Sequence, residues 1–267
     1  MFQTVNSRRK VMCKLNYILL SVIFIITFVS CDDFLLKPSM TPDSTAEQQS
    51  EIEITISEPA IEAKLREILS KPEGLLTKTE LEQVTEFSLM ENIESIQDLQ
   101  WLTNLESLHL EIYQMTDLTP LRSLKNLKSL RISDCPLEDI SALEQLTQLE
   151  VLWLTKCQVQ DVTVLKNLTN LKELVLDDTL VKDLSCLHKL TALEVLSMAY
   201  CSVLSIDFLK NMKNLKELDL YDTPVTDIEV LKTLPSLQRV RFSYPITQEQ
   251  VQQLKEVIPN CQVIWVE

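Results

Sequence analysis

The chain has 267 residues, of which 45% are hydrophobic and 24% charged, a composition typical of a folded domain. It contains a single glycine, Gly74, and two histidines, which excludes glycine-rich phosphate loops and leaves little material for histidine-based catalysis or metal binding. The formal net charge of −14 argues against nucleic acid as a partner, because binding phosphates requires a basic surface.

Residues 1–30 have the layout of an export signal. An uncharged run rich in Ile, Leu, Val and Phe extends from Leu15 to Cys31. The basic residues that precede it are Arg8, Arg9, Lys10 and Lys14. A cationic start followed by an apolar centre is typical of a secretory signal. The run is close to the shortest that can span a membrane, so an uncleaved anchor is an alternative.

The end of this segment resembles a bacterial lipobox. Val29, Ser30 and Cys31 fit that pattern, whereas Phe28 stands where leucine is usual. The resemblance implies that Cys31 receives a diacylglyceryl group and becomes the new N-terminus. We therefore expect an exported protein, anchored by lipid to a membrane of the bacterial cell envelope. Residues 31–50, rich in Pro, Ser and Thr, would form the lipidated N-terminus and a flexible tether.

A repeat of 22 residues occupies the rest of the chain. Leu108 and Leu110 alternate with polar neighbours, and the same pattern recurs at Leu130 and Ile132 and again from Leu152. This alternation predicts a short strand with one buried face, and a second apolar run in each block predicts a short helical return segment. One block cannot bury its leucines alone, so the blocks must stack into a solenoid.

These repeats resemble the leucine-rich repeat family, in the 22-residue class found in internalins. The resemblance covers roughly residues 52–267 and implies an α/β fold, a right-handed solenoid of about eight coils with a parallel concave sheet of nine strands. It implies a helical N-terminal cap at 51–83, with the repeats and a helix-strand C-terminal cap at 84–267. Thr247 and Gln250 form a capping box that opens the last helix. In that cap we expect these residues to point inward: Val251, Leu254, Val257 and Ile258 of the helix, and Cys261, Ile264 and Val266 of the closing strand.

One column of residues follows the predicted strands, at the position where the family usually has an asparagine ladder. It consists of Asn92, Tyr113, Cys135, Cys157, Thr179, Cys201 and Thr223. Cys and Thr can each donate one hydrogen bond, which predicts a weaker ladder. We expect structural free thiols here and at the core positions Cys186 and Cys261. A Cys135–Cys157 disulfide is the alternative, because adjacent coils lie only ~5 Å apart and an exported protein meets oxidising conditions.

A second column precedes the predicted helical segments. It consists of Asp98, Asp117, Asp139, Asp161, Asp183 and Asp227, with Ser205 in the remaining coil. We interpret these residues as helix caps. Calcium binding is the alternative, but calcium needs six to eight converging oxygens and each coil offers one carboxylate. Neither His109 nor His188 is in register with a cysteine of the ladder. The sequence therefore predicts no enzyme activity, cofactor, metal or small-molecule substrate.

The exposed face of the predicted sheet is the remaining candidate for function. Its central column consists of His109, Arg131, Trp153, Val175, Ser197, Asp219, Arg241 and Trp265. Exposed aromatic side chains beside charged ones are typical of a binding surface, although Val and Trp also suit strands for structural reasons. We predict a protein partner contacted by Arg131, Trp153, Val175, Tyr200, Asp219 and Tyr221. The alternative is a structural spacer or adhesin subunit whose concave face binds nothing.

Overall fold

The computed structural model describes residues 51–266. The predicted export signal, the lipidation site Cys31 and the tether lie outside the described residues. Within residues 51–266, no helix is both long enough and apolar enough to cross a membrane.

A parallel sheet of nine strands forms one side of the solenoid, and its strands lie in chain order. The strands are β3 (Glu86–Leu89), β4 (Ser107–Glu111), β5 (Ser129–Ser133), β6 (Val151–Thr155), β7 (Glu173–Val175), β8 (Val195–Ser197), β9 (Glu217–Leu220), β10 (Arg239–Ser243) and β11 (Gln262–Val266). Equivalent residues of successive repeats are in register, so that Leu108, Leu130 and Leu152 stack on adjacent strands and are completely buried. The predicted leucine-rich repeat solenoid is thus confirmed.

The return segments are short 3₁₀ helices, and they stack on one another along the solenoid. Their bounds are Gln97–Trp101, Thr119–Ser123, Ser141–Gln145, Thr163–Asn167, Ser185–Lys189, Asp207–Asn211 and Glu229–Thr233. A 3₁₀ helix suits a return of one or two turns, because it rises faster per residue than an α-helix. In each segment, one leucine is completely buried against the strand leucines.

The N-terminal cap closes the first coil. It consists of β1 (Glu53–Ile54), α1 (Pro59–Leu69), β2 (Leu76–Thr77) and α2 (Lys78–Leu81), and the two short strands pair antiparallel. Ile61 and Leu65 lie four positions apart on α1 and are completely buried, so α1 covers the open end of the core. The helix was predicted, whereas the two-stranded pairing was not.

The C-terminal cap contains α3 (Gln248–Val257), which begins at the predicted capping box. Thr247 and Gln250 exchange the expected hydrogen bonds, and Val251 and Leu254 are buried. The expectation that Val257 points inward is wrong, since this side chain is 52% exposed. At 100° per residue, Val257 lies about 60° beyond Leu254 and about 120° from Val251, so it falls at the margin of the buried stripe.

The register of β11 differs from the prediction by one residue. Val240 pairs with Val263 and Phe242 with Trp265, so Val263 and Trp265 pack towards the core. Ile264 therefore belongs to the outward column in which we placed Trp265, because a slip of one residue exchanges the two faces of a strand. The Trp265 Nε1 instead donates to the main-chain carbonyl of Ile246 at 2.9 Å.

The column that follows the strands agrees with the prediction only from the third repeat onward. Thr179 Oγ1 donates to a main-chain carbonyl at 2.7 Å and lies 3.3 Å from Cys201 Sγ. Asn92 and Tyr113 are exposed, so their assignment to this column is wrong. Ile112, which is 1% exposed, fills the interior beside Tyr113. The register between β3 and β4 is one residue shorter than in later repeats, which changes the path of the first turns.

The aspartate column does cap the 3₁₀ helices, with one exception. A side-chain oxygen accepts a hydrogen bond from the N–H two residues later in Asp117, Asp139, Asp161, Asp183, Ser205 and Asp227. In the first coil this role belongs to Ser95, not Asp98. Asp98 lies inside the 3₁₀ segment, is 4% exposed and accepts hydrogen bonds from the N-terminal cap.

An asparagine ladder does exist, but it precedes the strands. The side-chain amides that donate to a main-chain carbonyl of the preceding coil are those of Asn104, Asn126, Asn170 and Asn214. The Asn-Leu pair that recurs before β4, β5, β7 and β9 was a signal of this ladder in the sequence. These bonds tie neighbouring coils together at the end of the strands opposite to the cysteine and threonine column.

Candidate functional site: the exposed face of the sheet

The sheet face is the set of strand side chains of β4–β10 that point away from the core. Its central column consists of His109, Arg131, Trp153, Val175, Ser197, Asp219 and Arg241, which the strand pairing sets side by side. All are partly buried except Ser197, which is buried. Because the strands are parallel and in register, the column is a continuous row along the solenoid.

Trp153 is held in place from two sides. The Arg131 guanidinium lies 4.4 Å from the centroid of the indole ring, a distance typical of a cation–π contact. The indole Nε1 donates a 2.8 Å hydrogen bond to Glu173 Oε1 on β7. The three side chains therefore form a rigid unit across β5, β6 and β7, which we call the Trp153 unit.

A second group of side chains lies towards the C-terminal ends of β8–β10. It consists of Tyr200, Tyr221, Asp219 and Arg241, and we call it the tyrosine group. The rings of Tyr200 and Tyr221 meet edge to face, with their centroids 5.3 Å apart. The Arg241 guanidinium lies 4.9 Å from the Tyr221 ring and forms two bonds to the Asp219 carboxylate, 3.0 Å from Nε and 2.6 Å from Nη2. The Asp219 carboxylate thereby raises the pKa of Arg241 further above its usual range. The aromatic pair therefore packs against the Arg241–Asp219 ion pair, whose two charges neutralise each other.

Tyr200 has a left-handed backbone, with φ at 61°. It belongs to a turn column in which every residue has positive φ, namely Asp134, Lys156, Asp178, Tyr200 and Asp222. A bulky side chain is uncommon in this conformation and carries a conformational cost. The Tyr200 side chain is 53% exposed, so burial of its ring does not offset that cost. The turn presents the ring to solvent at the edge of the sheet face.

The Asp177 carboxylate is partly buried, which destabilises its charged form. Its Oδ1 accepts hydrogen bonds from Ser197 Oγ at 2.5 Å and from the Ala199 N–H at 2.9 Å. Burial nonetheless raises the pKa of Asp177, and these hydrogen bonds offset only part of that effect. The negative charge of Asp219 raises this pKa further. The folded state therefore favours the protonated form of Asp177.

At the opposite edge of the sheet, acidic and basic side chains form ion pairs with one another. Glu and Lys alternate just before the strands, and the ion pairs are Lys128–Glu106 at 2.8 Å, Lys172–Glu150 at 2.7 Å and Lys216–Glu194 at 2.5 Å. Such exposed pairs contribute little to stability, but they leave this edge without a field of one sign. Charge that could attract a partner is therefore concentrated on the other side of the sheet face.

The structure places the six predicted contact residues in two clusters. Arg131, Trp153 and Val175 are paired on β5, β6 and β7, and Asp219, Tyr221 and Tyr200 belong to the tyrosine group. Sequence reasoning missed Glu173 as the partner of Trp153. The repeat did contain a signal for it, since Glu173 precedes Leu174 as Trp153 follows Leu152, which makes the two side chains diagonal neighbours.

The cysteines lie behind this face rather than on it. Cys135 and Cys157 are free thiols with their Sγ atoms 3.4 Å apart, and both are buried. The hydrogen bond with Cys135 raises the pKa of the Cys157 thiol, and burial adds to that effect. Cys261 is buried as expected, whereas Cys186 is only partly buried. Among residues 51–266, no cluster of His, Cys, Asp and Glu side chains could hold a metal ion.

Comparisons with known proteins agree with the fold. A family model described as leucine-rich repeats (2 copies) matches residues 125–167. No curated protein matches the chain. Among solved structures, internalin C2 (inlC2) of Listeria monocytogenes strain 4b F2365 is 30% identical with a TM-score of 0.73, and the match covers 78% of this chain and 93% of that one.

Two further structures are similar over shorter parts of their own chains. Internalin (inlF) of the same Listeria strain is 29% identical with a TM-score of 0.70, over 79% of this chain and 64% of that one. This chain therefore spans less than two thirds of the length of that internalin. A leucine-rich repeat protein of Leptospira interrogans shares the fold, with 24% identity and a TM-score of 0.58, over 62% of this chain and 44% of that one.

Proposed function

Because this chain belongs to the internalin-like leucine-rich repeat proteins, we propose that it binds a partner protein through the sheet face, the concave side of the solenoid. Leucine-rich repeats generally serve as protein-interaction modules, and a stacked solenoid displays a continuous, rigid surface. The observation that carries the proposal is the Trp153 unit, in which a partly exposed indole is held between Arg131 and Glu173. Preorganised aromatic and arginine side chains are the residues that dominate binding energy in interfaces.

The predicted contact residues would make different contributions to binding along the sheet face. Trp153 and Val175 supply apolar area that is already ordered, so little conformational entropy is lost when a partner covers them. The tyrosine group adds two rings whose hydroxyls can hydrogen-bond at a wet rim. Arg131 and Asp219 provide charge for specificity rather than for bulk affinity.

We also propose that the protein is exported and anchored by lipid at Cys31 to a membrane of the bacterial cell envelope. The lipobox-like Val29-Ser30-Cys31 sequence after an apolar segment supports this proposal. Metabolic labelling of the full chain with an alkyne fatty acid tests it, since Cys31→Ser should abolish the label and release the chain from the membrane fraction. Equal labelling of both chains would overturn the lipid anchor and leave the binding proposal unaffected.

Chemical cross-linking in the native cell tests the binding function. We would express the tagged full chain beside a Trp153→Ala/Tyr221→Ala variant and a Lys166→Ala control, whose exposed side chain belongs to a 3₁₀ helix away from the sheet. Circular dichroism melts would show that all three fold. A protein captured by the wild type and the control, but lost in the double variant, supports the proposal. Equal capture by all three, or by none, would favour a structural spacer or adhesin subunit.

A further inference from the structure

We propose that the partner presents two opposite charges to the sheet face, a carboxylate that pairs with Arg131 and a basic side chain that lies against the tyrosine group. This inference rests on the proposed function and specifies the chemistry and orientation of the partner. Its basis is the unequal distribution of satisfied and unsatisfied charge along the face.

Arg131 is an arginine whose hydrogen-bonding capacity is unused. Its Nε is buried and has no hydrogen-bond partner within residues 51–266, and its guanidinium makes no ion pair there. The two arginines further along the sheet behave differently, since Arg239 pairs with Glu217 and Arg241 with Asp219. The Nε atom is enclosed, but Arg131 as a whole is only partly buried and its terminal N–H groups are not enclosed, so they can donate to an acceptor from outside the chain.

The carboxylates around Arg131 are already engaged. Glu173 accepts the indole N–H of Trp153, and Glu111 accepts a 3.2 Å hydrogen bond from the Tyr113 hydroxyl. The side chains that flank Arg131 in its own column are His109 and Trp153, neither of which is an anion. The guanidinium is also held over the indole ring, so its planar fork is preorganised. A partner carboxylate suits it because the fork and the carboxylate match in geometry.

The tyrosine group has the opposite character. The exposed turn residues Asp178 and Asp222 flank Tyr200 in the column of left-handed residues, and neither carboxylate makes a hydrogen bond or ion pair within the part of the chain that the structure describes. The charge of Arg241 is neutralised by Asp219. The exposed Tyr200 ring between two unpaired carboxylates suits a Lys or Arg side chain, which the carboxylates attract and the aromatic ring can contact. The net charge of −14 adds a long-range attraction for a basic partner.

The spacing of the two sites limits the partner further. Arg131 lies on β5, Tyr200 follows β8 and Tyr221 follows β9. At ~4.8 Å between strands, the two sites are about 14 to 19 Å apart along the solenoid. An extended peptide rises by about 3.3 Å per residue, so the acidic and basic residues of an extended partner segment would lie about four to six positions apart.

An array of synthetic peptides tests this inference with the full chain. Each peptide carries one Glu and one Arg, separated by one to nine residues of Ser, Thr and Val. We expect binding to be strongest at separations of about four to six and to weaken at least fivefold when Glu is replaced by Gln. Arg131→Gln should remove this preference for Glu, Arg131→Lys should retain part of it, and Lys166→Gln should leave it unchanged. Arg131→Glu should instead prefer peptides with Lys in place of Glu.

Several results would overturn the inference. They are a lack of binding at every separation, binding that ignores the separation, and an Arg131→Gln chain that retains its full preference for Glu. Melting curves would exclude misfolding of the variants. Failure of the peptides while native capture still depends on Trp153 and Tyr221 would overturn the paired-charge inference alone. Loss of that dependence as well would overturn the proposed function.

Discussion

The Asp98 carboxylate accepts a 2.8 Å hydrogen bond from the backbone N–H of Ser57, forming a link between the first repeat and the N-terminal cap. The same oxygen accepts a 2.9 Å hydrogen bond from the N–H of Glu58, the residue before α1. Glu58 provides no side-chain cap for α1, so the first repeat supplies the negative group at that helix terminus. The end cap and the repeats are therefore joined by a buried polar contact as well as by apolar packing.

We predict that Asp98→Ala lowers the free energy of unfolding by about 2–3 kcal/mol, because two donors lose their acceptor. Asp98→Asn should cost less, since an amide oxygen can accept both hydrogen bonds. Urea denaturation followed by circular dichroism measures both values. Equal losses for the two variants would show that the hydrogen bonds to Ser57 and Glu58 are not what Asp98 contributes.

Asp177 should behave in the opposite way. Its pKa is raised by burial, so the folded state favours the protonated form and keeps the charged form at a cost. That cost is absent at low pH and develops as the pH rises through the raised pKa. Asp177→Asn retains an acceptor for Ser197 and Ala199, and we expect it to stabilise the chain at pH 7 by about 1 kcal/mol or less. The gain should disappear at low pH, and a variant that is less stable at pH 7 would contradict this account.

The aspartate caps should make the solenoid sensitive to acid. Hydrogen bonds from Ser141 lower the pKa of Asp139, and those from Thr119, Thr163 and Ser185 do so for Asp117, Asp161 and Asp183. A lowered pKa stabilises the fold above the usual aspartate range, and this stability is lost as the pH falls through the lowered value. A fourfold Asp→Ser variant, which copies the native Ser205 cap, should lose less of its melting temperature between pH 5 and pH 2.5. If the melting temperature of the variant fell with pH as steeply as that of the wild type, these caps would not be the source of the acid sensitivity.

The thiols should differ in reactivity according to burial. Cys135 and Cys157 are 3% and 2% exposed, so maleimide should label both much more slowly than the partly buried Cys186. Mass spectrometry of the labelled chain, with and without urea, identifies each site. Rapid labelling of the pair in the native state, or a tryptic fragment linking Cys135 to Cys157, would contradict the free, buried thiols.

The repeating part of the fold could be predicted because its period is constant. Leucines at 22-residue intervals can all be buried only if successive coils stack in register, and local propensity then matters little. The errors lie where the period changes. Asn92 lies within the shortened first repeat and Tyr113 follows it. In β11 the apolar residues Val263 to Val266 form a continuous run. Such a run lacks the alternation that determines which side chains face the core.

The candidate site could be predicted only in outline. The period assigns Trp153 and Tyr221 to the exposed side of the sheet, but it does not reveal diagonal contacts such as Trp153 with Glu173. Asp98 was misassigned because its buried role depends on Ser57, far away in the sequence. Long-range contacts of this kind depend on how the cap docks, which no periodic pattern encodes.

Photo-cross-linking in living cells tests the central claim most directly. A benzoylphenylalanine residue would replace Val175 in the middle of the sheet face, or Asn167 at the end of an exposed 3₁₀ segment, in otherwise identical full chains. We predict a discrete cross-linked protein from position 175 and none from position 167. The same adduct from both positions, or an adduct from position 167 alone, would contradict binding through the sheet face.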